Sequence, residues 1–342
     1  MKKNKKALIT GISGQDGAYL ADLLLSKGYK VYGGDRRTAS GSLWRLKKLG
    51  IENKVSIIDF ELAEDTNIHN IIKKGQFDEI YNLAAQSFVG SSFDTPLMTS
   101  NINAFGTLRI LEAIRYYSKH TKFYQASTSE MFGGHEDEDF QNESSQFRPR
   151  SPYAVSKLYA HWITDMYREG YGLFCCSGIL FNHESPIRGN EFVTKKIVDA
   201  LCKIKYANGK TLEVGNIYAK RDWGYAKDYV QAMWKMLQYK NPDDYVIATG
   251  KTYTIKDFIN ETCKELNFNP AWQGKGLNEK CFDTQTNKLL VKINKRYFRP
   301  AEVNFLRGDS RKAKKVLKWK PNTNLKSLVK IMSEDEMLNY KK

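Results

Sequence analysis

The sequence lacks any run of about 18 apolar residues, the length that a membrane-spanning helix needs. Its N-terminus is basic, but only Ala7, Leu8 and Ile9 follow before Thr10, whereas a secretory signal needs roughly 7–15 apolar residues. Both absences argue against a membrane protein and against a secreted one. We therefore expect a cytoplasmic protein with no membrane partner.

Cysteine is also scarce in this chain. The five cysteines, at positions 175, 176, 202, 263 and 281, are odd in number and include no C-x-x-C pair. That pattern predicts neither a disulfide framework nor a zinc site, and no metal is expected. The sequence also lacks internal repeats and low-complexity segments.

Basic residues outnumber acidic ones by 54 to 38, and a net charge of +16 can indicate anionic partners. The lysines are scattered, however, and there is no basic stripe interleaved with aromatic residues of the kind typical of RNA-binding surfaces. Nucleic acid is therefore not an expected partner. The length of 342 residues predicts one large globular domain or two coupled ones.

The first half of the sequence alternates short apolar runs with stretches of helical periodicity, notably 15–27 and 106–117. Such alternation predicts βαβ units with right-handed crossovers, and hence an α/β fold with a Rossmann-type doubly wound parallel sheet. The predicted strands of this half are 6–10, 30–33, 55–58, 79–83 and 122–126.

Beyond about residue 180 the pattern predicts a smaller C-terminal α/β domain that binds substrate. Its residues 272–286 form a polar, glycine-containing insertion. The predicted helices are 192–207, 228–238, 256–266 and 325–340, and the predicted strands are 210–214 and 245–248.

The first chemical motif is Gly11-Ile12-Ser13-Gly14-Gln15-Asp16-Gly17, which follows the first strand and opens a helix. Glycines there let the backbone approach a pyrophosphate, and the helix N-terminus offers free N–H groups. After the second strand, Asp35 is suited to a ribose 2′-hydroxyl of NAD, whereas Arg36 and Arg37 are suited to the 2′-phosphate of NADP. The two adjacent arginines favour NADP over NAD.

The second motif is Tyr153-Ala-Val-Ser-Lys157, whose spacing places the phenol and the ammonium on one helical face. An ammonium close to a phenol favours the phenolate, so we expect a Tyr153 pKa lowered toward neutrality and a role as general base. Near it in sequence, Ser127-Thr128-Ser129-Glu130 follows the fifth strand, at the end where parallel sheets bind ligands. Glu130 suggests a second proton transfer, next to a ketone, that a simple dehydrogenase does not need.

These motifs together, with Leu83-Ala-Ala-Gln-Ser87, resemble an extended short-chain dehydrogenase/reductase. Further strings make the resemblance more specific: the chain is similar to the GDP-mannose 4,6-dehydratase family over about residues 7–319. These strings are 149–154 (PRSPYA), 179–186 (ILFNHESP), 221–224 (RDWG) and 296–303 (RYFRPAEV).

The resemblance implies the site residues, the cofactor and the substrate. The catalytic roles fall on Thr128, Glu130, Tyr153 and Lys157. NADP would contact Gly11, Ile12, Ser13, Gly14, Gln15, Asp16, Arg36, Glu61, Leu62, Leu83, Ala84, Ala85, Gln86, Ser87, Met98, Tyr153, Lys157, His183 and Arg188. The GDP-sugar would contact Ser87, Asn182, Val193, Lys196, Arg221, Arg299 and Glu302.

The same resemblance implies that residues 1–178 with about 223–252 bind NADP, and that 179–222 with 253–342 bind the GDP-sugar. It implies a homodimer or homotetramer, in which the loop at 36–42 could reach a neighbour. It also implies synthesis of a deoxysugar for a surface glycan, such as capsule or lipopolysaccharide. The reaction would be an internal redox dehydration, in which hydride leaves C4 of the sugar and returns to C6.

The chain departs from the family pattern at Phe88, where a histidine is usual, at Met131-Phe132, where Leu-Tyr is usual, and at residues 272–286. We expect the first two departures to flank the sugar. Because these departures bear on which sugar is bound, GDP-mannose and the one-carbon-longer GDP-D-glycero-D-manno-heptose are alternative substrates. A GDP-sugar epimerase or reductase on the same fold is a more remote alternative.

Overall fold

The computed structural model describes residues 4–37, 43–134, 140–298, 301 and 303–340. The strands in these ranges are β1 (Lys6–Thr10), β2 (Lys30–Asp35), β3 (Ser56–Asp59), β4 (Glu79–Asn82), β5 (Lys122–Thr128), β6 (Cys175–Leu180), β7 (Asn182–Glu184), β8 (Leu212–Val214), β9 (Lys220–Arg221), β10 (Trp223–Tyr225), β11 (Tyr245–Ile247), β12 (Tyr253–Thr254), β13 (Pro270–Gln273), β14 (Lys280–Asp283) and β15 (Leu289–Ile293).

The α-helices in the same ranges are α1 (Gln15–Ser26), α2 (Trp44–Lys48), α3 (Asp65–Gly75), α4 (Val89–Ser92), α5 (Pro96–Ser100), α6 (Gly106–Tyr117), α7 (Pro152–Tyr171), α8 (Val193–Tyr206), α9 (Ala226–Gln238), α10 (Ile255–Glu265), α11 (Arg311–Leu317) and α12 (Leu325–Met337). A π-helix (Asn101–Phe105) joins α5 to α6, and a 3₁₀ turn (Ser129–Phe132) follows β5.

The central feature is a parallel sheet that, in the described residues, has seven strands in the order β11-β6-β5-β4-β1-β2-β3. Successive residues of its strands enter different cores: Ala7 and Ile9 pack with α1 and α9, whereas Leu8 packs with α3 and α6. Such continuous apolar strands are typical of a sheet covered on both faces. The predicted Rossmann-type doubly wound sheet is confirmed.

A second core lies in the C-terminal half, where α8, α10 and α12 pack against β8, β14 and β15. In the described residues β13, β14, β15 and β8 form a four-stranded sheet. Residues 272–286, predicted as a polar insertion, contain half of β13 and all of β14. That prediction missed these strands because each is only four residues long and mixes apolar with polar side chains, so no apolar run marks them.

The carboxyl ends of β1, β4, β5 and β6 meet at one edge of the central sheet, because parallel strands all point the same way. A buried polar network ties this edge together: the Thr10 hydroxyl donates to Asn82 Oδ1 (2.7 Å), and the Asn82 amide donates to Gln125 Oε1 (2.8 Å). Thr10 Oγ1 also accepts from the backbone N–H groups of Leu83 and Ala84 (3.1 Å each). This network fixes the loop at 83–87 beside the glycine motif.

No helix in the described ranges is both long enough and apolar enough to cross a membrane. Within the same ranges, no cluster of three or more His, Cys, Asp or Glu side chains is arranged to hold a metal ion. The five cysteines are all buried and unpaired.

Candidate active site

A cavity of about 800 Å³ opens at the carboxyl edge of the central sheet, between that sheet and the C-terminal core. Its size and its mixed lining suit a small-molecule site. The predicted site residues in its wall are Asp16, Leu83, Ala85, Ser87, Thr128, Glu130, Tyr153, Lys157, Asn182, His183, Arg188, Val193, Lys196 and Arg221.

The glycine motif forms the tight turn between β1 and α1. Gly11 has φ +70°, and a Cβ there would lie 2.8 Å from the backbone nitrogen of Ala84. A Cβ on Gly17 would lie 2.3 Å from the carbonyl oxygen of Gly11, so this turn requires glycine at both positions. Gly14 precedes α1 and has no side chain to cap it, which leaves N–H groups of the first turn for an anion. The turn therefore fits a dinucleotide pyrophosphate.

Asp16 would repel a pyrophosphate if its charge were uncompensated. Its carboxylate lies 2.7 Å from His183 Nε2. Burial opposes both charges, but each partner outweighs that effect, so the pKa of His183 is raised and that of Asp16 is lowered. The pair is thus charged but neutral overall, and it links the glycine turn to β7.

The 3₁₀ turn after β5 brings Thr128 and Glu130 together. Thr128 Oγ1 accepts from the backbone N–H of Glu130 (3.2 Å), as an N-cap residue does. Both side chains are buried in the cavity wall. The carboxylate is therefore held beside the hydroxyl and within the same cavity as the helix that carries Tyr153.

Helix α7 begins with Pro152, which favours a first helical position, and Ser151 caps it by accepting from Ala154 N. Tyr153 and Lys157 are both buried on the face of α7 that packs against β5. The Lys157 ammonium donates to the carbonyl of Ala126 (2.9 Å). The predicted placement of the phenol and the ammonium on one face is therefore what the structure shows.

The predicted lowering of the Tyr153 pKa is wrong. Burial raises the pKa of Tyr153 to about 12, and the nearby Glu130 carboxylate adds to the rise, while a hydrogen bond with Thr128 opposes it. Burial also lowers the pKa of Lys157 to about 8. Desolvation disfavours both the Tyr153 phenolate and the Lys157 ammonium. This effect outweighs the attraction between the two charges, on which the prediction rested.

Two cations, Lys196 and Arg221, line the cavity, and Asn182 lines it as well. Arg221 is buried, and Lys196 donates to the carbonyl of Glu213 (2.6 Å). Asn182 Oδ1 is buried and has no hydrogen-bond partner among the described residues, so it can accept from a ligand hydroxyl or amine. Two cations and an open acceptor suit a nucleoside diphosphate sugar.

Several residues of the cavity wall were not predicted as site residues. Arg296 and Tyr297 lie next to Lys196, whose Nζ is 3.5 Å from the centre of the Tyr297 ring. A hydrogen bond from Arg296 lowers the pKa of Tyr297, and Lys196 adds to the effect. Phe192 forms an aromatic wall with Phe88, at 6.3 Å between ring centres. The motif at 296–303 already marked Arg296 and Tyr297, but no sequence signal marked Phe192.

Some predicted residues do not line the cavity. Ile12 and Leu62 are buried, and Met98 on α5 is half exposed. Glu61 caps the turn before α3 by accepting from Ala63 N (3.1 Å), and Arg36 lies just after β2. The rest are Gly11, Ser13 and Gly14 of the glycine turn, Gln15 at the start of α1, and Ala84 and Gln86 of the loop after β4. Arg299, Glu302 and residues 38–42 of the predicted loop lie outside the described residues.

The expectation that Met131 and Phe132 flank the sugar is wrong. Both are buried in a core cluster with Phe181 and Val303, and neither lines the cavity. Residues 272–286 are likewise absent from its wall. Of the departures from the family pattern, Phe88 is the one placed in the cavity, with its ring 40% exposed.

Comparison with known proteins identifies the family. A family model described as GDP-mannose 4,6 dehydratase matches residues 8–332. The chain belongs to the GDP-mannose 4,6-dehydratase family. It is accordingly an enzyme of the hydro-lyase class.

Relatives of known name are similar in sequence to this chain over nearly its full length. GDP-mannose 4,6-dehydratase of Sinorhizobium fredii is 46% identical over 344 residues, covering 98% of each chain. The enzyme of that name from Vibrio cholerae is 46% identical over 350 residues, covering 97% of this chain and 94% of the relative. The solved structure of dTDP-glucose 4,6-dehydratase from Streptomyces venezuelae matches with a TM-score of 0.83 at 20% identity, covering 98% of this chain and 97% of that one. The last likeness shows the fold alone.

Replacing Lys157 by Met is expected to stabilise this protein at neutral pH. Below about pH 8 the folded state holds a buried ammonium whose pKa is lowered from about 10.4 in the unfolded chain to about 8. This difference in pKa lowers the free energy of unfolding by on the order of 3 kcal/mol at pH 7. The destabilisation disappears as the pH rises from about 8 to 10. We expect Lys157→Met to raise the free energy of unfolding at pH 7 and to raise it much less at pH 10, measured by urea unfolding.

The matched control is Lys203→Met on α8, where the ammonium is exposed and paired with Asp199. It should change the free energy of unfolding by under about 1 kcal/mol at both pH values. A Lys157→Met protein less stable than wild type at pH 7, or a gain equal at both pH values, would contradict the assigned desolvation.

Proposed function

We propose that this chain dehydrates GDP-D-mannose to the GDP-4-keto-6-deoxy sugar by an internal hydride transfer through bound NADP. The observation that carries the proposal is the convergence of Thr128, Glu130, Tyr153 and Lys157 on one cavity. A reductase or epimerase needs the hydroxyl, phenol and ammonium, but it has no use for the additional carboxylate. The names of the curated relatives support the same reaction.

The proposed substrate site uses the cationic side of the cavity. Lys196 and Arg221 are placed to neutralise the diphosphate, and Asn182 Oδ1 offers an acceptor to a hydroxyl. Val193 begins α8 at the cavity wall, and Ser87 lines the same cavity from the loop at 83–87. We assign Arg299 and Glu302 to the same ligand from the family resemblance alone.

For the cofactor, we propose NADP in the glycine turn, with Arg36 toward the 2′-phosphate. Arg36 and Arg37 follow β2 at the edge of the sheet where this group would lie, although Asp35 also stands there. A bound oxidised nicotinamide would supply the acceptor for the C4 hydride and a positive charge that favours the Tyr153 phenolate.

The chain's own residues then move protons. Tyr153 accepts the proton of the sugar C4 hydroxyl, with Thr128 hydrogen-bonded to the phenol and Lys157 supplying positive charge behind it. The resulting C4 ketone acidifies the C5 proton, which Glu130 removes. The C6 hydroxyl would leave with a proton from Glu130 or Tyr153, so the released product is water. Hydride would then return to C6 and a proton to C5, which gives the 4-keto-6-deoxy sugar. All four side chains are buried, which limits their contact with bulk water.

We further propose the domain division expected from the sequence: 1–178 with about 223–252 for NADP, and 179–222 with 253–342 for the GDP-sugar. In support, the first set contains nearly all of the central sheet and the second contains most of the second core. The product would enter deoxysugar synthesis for a surface glycan such as capsule or lipopolysaccharide.

A second candidate substrate is GDP-D-glycero-D-manno-heptose, which Phe88 favours. Its apolar ring lines the cavity where the family usually has a histidine, so one polar contact to the sugar is absent. The added carbon of the heptose would contact an aromatic surface favourably.

The direct test is turnover of the two GDP-sugars side by side, with NADP or NAD supplied, by product mass. We expect loss of one water from GDP-mannose, more efficiently with NADP. A larger kcat/KM for the heptose would establish the second candidate instead. Net consumption of reduced cofactor without loss of water would contradict both and indicate a reductase.

Replacing Glu130 by Gln should separate the two halves of the reaction. The amide cannot take the C5 proton, so we expect dehydration to fall at least about 100-fold, with the affinity for GDP-mannose nearly retained. Because hydride leaves C4 but does not return, near-ultraviolet absorbance of the reduced nicotinamide should rise on mixing. Glu191→Gln, another carboxylate of the cavity wall, is the matched control and should stay within about threefold of wild type. A Glu130→Gln enzyme with wild-type turnover would refute the role of this carboxylate.

We also propose a homodimer through the outer face of α7. Val155, Tyr159, Trp162 and Met166 recur there at helical spacing and are exposed, and Leu97 on the neighbouring α5 is 86% exposed. An apolar stripe of this kind is typical of a protein interface.

Replacing Trp162 by Glu should convert the dimer to a monomer, because it buries a charge in the proposed interface. Light scattering coupled to gel filtration measures the mass. Trp44→Glu, which changes a similarly exposed tryptophan on α2, should leave the mass unchanged. A wild-type monomer, or a Trp162→Glu dimer, would contradict this interface.

A further inference from the structure

His161 is a buried histidine that the reaction described above does not use. It follows Lys157 by four residues and Tyr153 by eight, so all three share one face of α7. The side chain is 4% exposed, and its Nδ1 lies 3.2 Å from the Ser127 hydroxyl. A polar ring with a specific partner directly behind the cavity suggests a role in holding the cavity wall.

Two successive turns of α7 hold two successive residues of β5. Lys157 donates to the carbonyl of Ala126 (2.9 Å), and His161 pairs with Ser127. The next residue is Thr128, whose hydroxyl accepts from the backbone of Glu130. Because peptide bonds are rigid, a shift of Ser127 displaces Thr128 as well.

A second route connects His161 to Glu130 through aromatic packing. The His161 ring meets Phe147 edge to face, with 5.2 Å between ring centres. Phe147 in turn packs on Phe132 at 5.1 Å, and Phe132 belongs to the 3₁₀ turn that carries Glu130. The imidazole therefore supports both ends of the segment from Ser127 to Phe132.

The far side of the ring faces an anchored carboxylate. Asp244 Oδ2 lies 4.0 Å from His161 Nε2, beyond hydrogen-bond length, so it orients the imidazole by charge alone. Asp244 is itself held by Arg168 (2.9 and 3.0 Å) and by the backbone N–H of Ser177 (2.8 Å). With Nε2–H toward this carboxylate, Nδ1 is the acceptor for the Ser127 hydroxyl.

We propose that His161 is a positioning residue for the dehydration: through Ser127 and Phe147 it holds Thr128 and Glu130 in register with Tyr153. The proposal rests on the proposed function. According to this proposal, removal of the C5 proton by Glu130 depends on His161, a side chain that touches neither substrate nor cofactor.

The test compares His161→Phe, His161→Gln and Ser127→Ala in the full-length protein with bound cofactor. His161→Phe keeps the ring packing and removes Nδ1, so we expect kcat to fall about tenfold, with KM for GDP-mannose within about twofold. His161→Gln retains a hydrogen-bonding group toward Ser127 and should recover most of the loss. Ser127→Ala should repeat the effect, and the double variant Ser127→Ala/His161→Phe should fall no further than the worse single variant.

The matched control is Thr164→Val, a buried hydroxyl of α7 that bonds within its own helix and does not reach β5. It should leave kcat within about twofold of wild type. A wild-type kcat in Ser127→Ala overturns the proposal even if His161→Phe does not fold. Additive losses in the double variant, or equal losses in His161→Gln and His161→Phe, also overturn it. Wild-type turnover, run in parallel, reports separately on the proposed function.

Discussion

The packing of α7 against the carboxyl end of β5 is the contact on which the site depends. It buries an ammonium, a phenol and an imidazole side by side, and the ammonium is held by the carbonyl of Ala126. Burying a charged group with one hydrogen bond is costly, and a helix placed only for stability would carry apolar residues there. The arrangement thus places reactive groups where desolvation strengthens every later interaction with a ligand.

Desolvation also shifts the pKa values of two groups in the candidate site. It raises the pKa of Tyr153 and lowers that of Lys157, so neither group is charged as readily as it would be in water. For Tyr153 to act as the proposed general base, positive charge beside it must favour the phenolate. In the proposed reaction that charge comes with the oxidised cofactor, which couples proton removal to the presence of a hydride acceptor.

The sequence predicted local features well because their causes are local. The i,i+4 spacing placed Tyr153 and Lys157 on one face, and the glycine turn was recognisable because close backbone approaches exclude side chains there. Prediction from the sequence failed where packing against segments far along the chain decides where a side chain lies. Met131 and Phe132 adjoin Glu130 in sequence, but they turn into a core formed with Phe181 and Val303. Phe192 joined the cavity wall although no motif marked it.

By itself the sequence determined the doubly wound sheet, the order of the motifs and the family, since these follow from periodicity and from residues adjacent along the chain. Only the tertiary structure decided which side chains share one cavity, which of them are desolvated, and that His161 stands behind Ser127. The physical reason is that pKa values and side-chain contacts depend on groups brought together from far along the chain. Burial is a property of the folded whole that no short segment encodes.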